Sequence, residues 1–364
     1  MRKQHVAFVL ESVYGHIVPT LGIAEELIRE GYRVTYAVNN HFGPRIRSCG
    51  AESMVYQPLD NKLKFLQEMK KSGIEPFSEA SESFWKHLHQ EETENTLSQL
   101  ESLYETDRPD LVVYDCTNPA GKLLAGTLNI PAIEHSPMVI TKDDGFWSYD
   151  EHLVLVSIPR FFQRNADQLD ARFKFVGFIP SGRKNFFAPW KSTDPTRGTI
   201  LVSATTGLLP QTDFFRTAIA AFGDSPWQVV LSIGDKIDPS ALGALPRNCE
   251  INRSSSNFEV LETACLVIGQ AGQGSALEAL YCAVPQLLIP PSQVHDECAT
   301  RIAELGLGIR LQESEATVEN LTRAGVRLLE DQATRRRLQD FSTIMHNNKG
   351  AQMAANILGK CLLR

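Results

Sequence analysis

His16 stands in a Gly-His turn, just after an apolar run at 6–10 and just before Pro19 and a helical pattern. An imidazole titrates near neutral pH, so a histidine at such a turn can take a proton from a substrate hydroxyl. A surface or helix-capping histidine would look the same. Asp115 closes a second apolar run, DLVVYD at 110–115. A carboxylate there could hold the imidazole in one tautomer and stabilise the imidazolium. An aspartate at a strand end is also a common helix cap. The third candidate is GQAGQGSALEAL at 269–280, following the apolar run CLVIG. Gly272, Gly274 and Ser275 at a helix start would leave backbone N–H groups uncrowded and aimed at an anion, which suits phosphate. The spacing is neither GxGxxG nor a Walker loop. Glu278, placed on the first turn of that helix, suits a ribose hydroxyl. A plain glycine-rich turn is the alternative.

These residues need a scaffold that brings strand ends together. The run at 6–10 reads as a strand. Apolar residues Leu21, Ile23, Ala24, Leu27 and Ile28 follow the helical period, Gly31 supplies a stop, and 32–38 reads as the next strand. Strand, helix and strand in that order make the βαβ unit of a parallel sheet. The grammar returns with strand 110–115, helix 119–128 and strand 130–136. Residues 179–197 hold three prolines and no period, which marks a linker. Beyond it come strand 199–203, helix 211–222, strand 227–233, a short run at 250–252, helix 258–263, strand 266–269, helix 275–282, strand 286–289 and helix 298–306. The fold class is α/β, with two doubly wound parallel-sheet domains. Ligands of such sheets sit beyond the carboxyl ends of the strands, here in a cleft between the domains. Residues 58–106 and 140–165 break the rhythm, the first reading as helices joined by turns. Their aromatics, among them Phe84, Trp85, Phe146 and Trp147, either line an apolar substrate pocket or bury in local packing.

Composition excludes several functions. The chain has 364 residues, 36 Lys+Arg against 43 Asp+Glu, a net charge of −7 and 43% apolar residues. That length suits about two domains with packed cores. An acidic chain without a basic cluster is a poor nucleic-acid binder. No apolar run approaches the ~20 residues of a membrane span. Glu11 interrupts the first apolar run too early for a signal peptide, so a soluble, cytoplasmic protein is expected. The seven cysteines are scattered, without zinc spacing, and read as buried, reduced thiols.

Four segments carry a family resemblance. GHIVPTLGIAEELIREGYRVTYAV resembles the opening of bacterial macrolide-type glycosyltransferases of the UDP-glycosyltransferase superfamily. DLVVYDCTNPAGKLLAGTLNIPAIEHSP resembles the middle of their N-terminal domain, and LVLVSIPRFFQRNADQLDARFKFVGF the approach to their linker. GQGSALEALYCAVPQLLIPPSQVHDECATRIAELGLGIRL resembles their donor-site signature. The resemblance implies the GT-B architecture of two Rossmann-like domains. It implies an acceptor domain at 1–182, a linker at 183–197, a nucleotide-sugar domain at 198–345 and a last helix, 346–364, crossing back. His16 matches the family's general base and Asp115 the carboxylate that orients it. Gly272, Gly274 and Ser275 match the phosphate loop, Glu278 the ribose carboxylate, and Ser203 to Thr206, including Thr205, a second loop near the diphosphate. The implied reaction is an inverting transfer to a hydroxyl of a small hydrophobic natural product, without metal or cofactor. The nucleotide sugar, UDP- or dTDP-linked, is a co-substrate. Oligomeric state is left open.

Three donor-side positions depart from the family pattern. Gln270 stands where a phosphate-contacting histidine is usual. Ser254-Ser255-Ser256-Asn257 stands where a base-stacking tryptophan is usual. Val294-His295 stands where an acidic residue and glutamine grip the sugar, and a one-residue slip offers His295-Asp296. Two alternatives to glycosyl transfer follow: a GT-B enzyme catalysing elimination, cyclisation or isomerisation, or a non-catalytic auxiliary protein.

Overall fold

The computed structural model describes residues 2–59, 67–69, 71–73, 81–140, 152–183, 185–205, 211–234, 237–253 and 256–363, the side chains of 82–84 excepted. The chain divides into two compact units, one made of Met1–Phe186 with Asn348–Arg364 and the other of Phe187–Asn347.

The first unit is built on β1 (His5–Val9), β2 (Arg33–Val38), β3 (Glu52–Val55), β4 (Leu111–Asp115), β5 (Ala132–Ser136), β6 (Val154–Val156) and β7 (Phe173–Phe175). The order across the sheet is β3-β2-β1-β4-β5-β6-β7. Every pairing is parallel. Val6 to Val9 and Leu111 to Val113 are fully buried, as expected of central strands with both faces covered. The chain leaves β1 toward β2 on one side and β4 toward β5 on the other. The gap between those two exits is the topological switch point, where α/β sheets bind ligands. His16 follows β1 and Asp115 ends β4, so both stand at that point.

The second unit repeats the plan with β8 (Thr199–Ser203), β9 (Gln228–Ser232), β10 (Cys249–Asn252), β11 (Ala264–Gly269), β12 (Gln286–Leu288) and β13 (Gly308–Arg310). Its order is β10-β9-β8-β11-β12-β13, again all parallel. Its switch point lies between β8 and β11, the strands that precede Thr205 and Gln270. Phe215, Phe222, Ile200, Val202, Leu266 and Leu328 close its core.

Several boundaries differ from the sequence reading. The 58–106 stretch, read as helices joined by turns, holds helical residues at 67–69 and one 23-residue helix, Glu82–Tyr104, among the described residues. The helix after β11 begins at Gln273, not residue 275, and the next helix begins at Gln293, not residue 298. In both cases polar residues open the helix ahead of its apolar period. β3, β6, β7 and β13 are too short to show a period. Residues 187–197 are anchored to the second unit: Trp190 donates to Glu250 and Glu259, and Thr193 to Glu250. The last helix, Gly350–Leu362, belongs to the first unit, where Asn348 Nδ2 donates to Val176 O at 2.6 Å. The cysteines form no disulfide, and only Cys298 is buried, the others being half-buried.

The helix Ala120–Leu128 lies directly on β1 and β4. A Cβ at Gly121 would sit 2.5 Å from Tyr114 Cβ and 2.9 Å from Val9 Cβ. Gly121→Ala gains helix propensity of about 1 kcal/mol, but overpacking of roughly 1–3 kcal/mol opposes it. The packing cost wins because both contacts are strand Cβ atoms that cannot rotate away. Gly121→Ala is therefore expected to lower the melting temperature by a few degrees, read by circular dichroism. An unchanged or higher value would contradict this packing account.

Candidate active site

The chain turns sharply after β1. Val13 O accepts from His16 N–H at 3.2 Å and from Ile17 N–H at 3.1 Å, forming the single helical turn Tyr14–Ile17. Ile17 is buried and anchors the turn, while the His16 side chain is 15% exposed. His16 Nδ1 lies 2.7 Å from Oδ2 of Asp115, whose side chain is 0% exposed. An ionised carboxylate only accepts, so the proton sits on Nδ1. In the neutral ring Nε2, on the far side from Asp115, then carries the lone pair. Burial alone would raise the Asp115 carboxyl. The charge and hydrogen bond of His16, with the field of His135, outweigh it and hold the group at about 2.

His135 sits beside Asp115 in the register of β4 and β5. It is fully buried, and its Nε2 meets Ser157 Oγ at 3.0 Å. Burial pushes it down to about 4, against the pull of Asp115, so it is neutral at neutral pH.

In the second unit the phosphate-loop candidates converge on Thr205. Thr205 N–H donates to Gln270 Oε1 at 3.0 Å, and Thr205 Oγ1 lies 3.2 Å from His295 Nε2. His295 Nδ1 in turn meets Ser292 Oγ at 2.7 Å, and burial pushes this imidazole down to about 4. Because Thr205 N–H needs an acceptor, the Gln270 amide is oriented with its NH2 group turned away from Thr205. Ala271 takes φ 57°, a left-handed conformation uncommon for a residue with a side chain. That turn aims the chain into the helix Gln273–Tyr281, whose first bond runs from Ala276 N–H to Gly272 O at 3.0 Å. A Cβ at Gly274 would meet nothing within 4 Å, and one at Gly272 only Thr205 Oγ1 at 4.0 Å. These glycines therefore keep an approach open; neither has a positive φ.

Other candidates fall elsewhere. Glu278 lies in the second turn of its helix, not the first, because the helix starts at Gln273. Trp85 is 2% exposed, so its ring packs inside protein. Phe146, Trp147, Thr206 and Ser254 lie outside the described residues, as does the side chain of Phe84. Ser256 caps the helix Asn257–Leu261, and Asn257 Nδ2 donates to Ser203 Oγ at 3.1 Å, so that segment has a structural task. Val294 is 49% exposed and Asp296 is paired with Arg310. Among the described residues no cluster of three or more His, Cys, Asp or Glu could hold a metal, and no helix is long and apolar enough to cross a membrane. Sequence reasoning missed His135, Ala271 and Ser292, the last of which ties the expected His295 and Thr205 into one chain. Only His135, a histidine in a buried strand, left a signal that could have been read.

Comparison with known proteins supplies the family. Residues 216–359 match the C-terminal domain of the erythromycin biosynthesis protein CIII-like family. The chain is 33% identical to the NDP-glycosyltransferase YjiC of Bacillus subtilis (strain 168), over 98% of this chain and 96% of that one. The chain belongs to the UDP-glycosyltransferase superfamily. This glycosyltransferase is also 30% identical to demethyllactenocin mycarosyltransferase of Streptomyces fradiae, over 98% of this chain and 86% of that one. Its fold is GT-B. It matches the solved glycotransferase of kitacinnamycin with a TM-score of 0.82 and 26% identity over the whole of both chains.

The buried, neutral His135 makes the glycosyltransferase acid-sensitive. The unfolded imidazole takes up a proton near pH 6.5, whereas the folded one does so only near 4. Between those values the unfolded state binds more protons, so stability present above pH 6.5 is lost as pH falls toward 4. The loss is on the order of 3 kcal/mol. His135→Gln should flatten the decline in denaturant midpoint between pH 7 and pH 4.5. An identical slope in the variant would show that His135 does not titrate this way.

Proposed function

We propose that this glycosyltransferase transfers a sugar from a nucleoside-diphosphate sugar to a hydroxyl of a small hydrophobic natural product, with His16 as general base. The observation that carries the reading is the 2.7 Å contact of His16 Nδ1 with a fully buried Asp115 carboxylate. Held in that tautomer, Nε2 takes the acceptor hydroxyl proton as the oxygen attacks the anomeric carbon. Asp115 stabilises the imidazolium that forms. The bond from the anomeric carbon to the diphosphate oxygen breaks in the same displacement, so configuration inverts, and no metal takes part.

The leaving diphosphate needs stabilisation, and the second unit has the means. The approach at Gly272 and Gly274 lets phosphate oxygens near the backbone at the head of the helix Gln273–Tyr281, where the macrodipole favours negative charge. The Gln270 amide and the Thr205 hydroxyl offer neutral donors in place of a charged histidine. The two relatives, an NDP-glycosyltransferase and a demethyllactenocin mycarosyltransferase, agree with an NDP-sugar donor and a natural-product acceptor.

The test uses purified protein with UDP-glucose and dTDP-glucose against a panel of macrolide alcohols and phenols, read by mass spectrometry. The wild type is expected to glycosylate at least one acceptor, and His16→Ala to lose about 100-fold or more in kcat. Transfer that survives in His16→Ala, or no transfer with any pair, would overturn the reading.

A further inference from the structure

The two oxygens of Asp115 are used differently. Oδ2 faces His16 Nδ1 at 2.7 Å. Oδ1 accepts from the backbone N–H of Thr117 at 2.8 Å and from the Thr117 hydroxyl at 2.7 Å. The turn that carries Thr117 is itself pinned. Asn118 N–H donates to Asp115 O at 2.9 Å, and Asn118 Oδ1 accepts from Ala120 N–H at 3.3 Å as the next helix begins. Thr117 thus holds Oδ1 from a short, bonded loop.

We propose that Thr117 is a positioning residue for glycosyl transfer: its hydroxyl locks the Asp115 carboxylate so that Oδ2 is presented to His16. This rests on the reading of His16 as the base. The terminal torsion of an aspartate is broad, so an unclamped carboxylate would swing and the imidazole with it. A base displaced by a fraction of an ångström loses much of its advantage, because proton transfer demands close alignment. The Thr117 backbone N–H alone fixes one direction at Oδ1. The Cys116 thiol, a weak donor, also reaches Oδ1 at 3.6 Å; the Thr117 hydroxyl adds the second strong direction, and two strong directions define the plane of the carboxylate.

The test compares Thr117→Val, which keeps shape and removes the hydroxyl, with Thr117→Ser, which restores it. The assay is the donor–acceptor pair turned over fastest by the wild type. Thr117→Val should lower kcat about 10-fold or more with KM changed little, and Thr117→Ser should stay within about 3-fold of the wild type. In an Asp115→Asn background, Thr117→Val should cost almost nothing further, because the carboxylate it positions is gone. Thr117→Ala serves the same purpose if the valine variant does not fold. Wild-type kcat in Thr117→Val, an equal loss in Thr117→Ser, or a full loss repeated in Asp115→Asn would each overturn the proposal. Failure of the His16 reading shows separately, as His16→Ala turning over like the wild type.

Discussion

A carboxylate with no exposure must be compensated where it stands. Asp115 lies at the end of β4 with water excluded, a placement that would protonate an isolated carboxyl. Its oxygens are met by His16 and by Thr117 instead. Much of the first unit supports that meeting. β1 must end beside β4 for the turn after it to lift His16 over the carboxylate. Gly121 must be small for the following helix to lie against both strands. Ile17 must bury to hold the turn. The parallel sheet contributes the key geometry, because only parallel neighbours bring two carboxyl ends to one edge.

The second unit solves a different electrostatic problem with the same topology. Its switch point faces Thr205 and Gln270, neutral groups, and the two imidazole nitrogens of His295 are engaged by Ser292 and Thr205. With burial holding His295 neutral, the groups gathered at this switch point are dipoles rather than formal cations. A phosphate there would be bound by geometry: a left-handed Ala271, an open face at two glycines and a helix start. Such binding depends less on ionic strength than binding to an exposed lysine would.

The central strands were legible because buried parallel strands are continuous apolar runs, as in VAFVL and LVVYD. His16, Asp115, Gly272 and Gly274 were legible because turn residues and chemistry coincide at strand ends. The three-residue strands β6, β7 and β13 were not, since three residues show no period. The helices that begin with Gln273 and Gln293 were read short because their first turns are polar. Thr117 and Ser292 act through hydrogen bonds whose partners are fixed by loop conformation. A threonine two residues after an aspartate looks like any turn. Trp85, an aromatic in a polar stretch, suits either a substrate pocket or local packing by sequence, and the helix Glu82–Tyr104 carries it inward to 2% exposure.

For His16 to act as a base through Nε2, the proton of the neutral imidazole must sit on Nδ1. Nitrogen-15 NMR of histidine-labelled protein at pH 8, assigned with His16→Gln, reads that directly. The structure requires His16 protonated on Nδ1 with Nε2 bare, and Asp115→Asn should disturb that pattern. A neutral His16 protonated on Nε2 would contradict the assignment of this residue as the base.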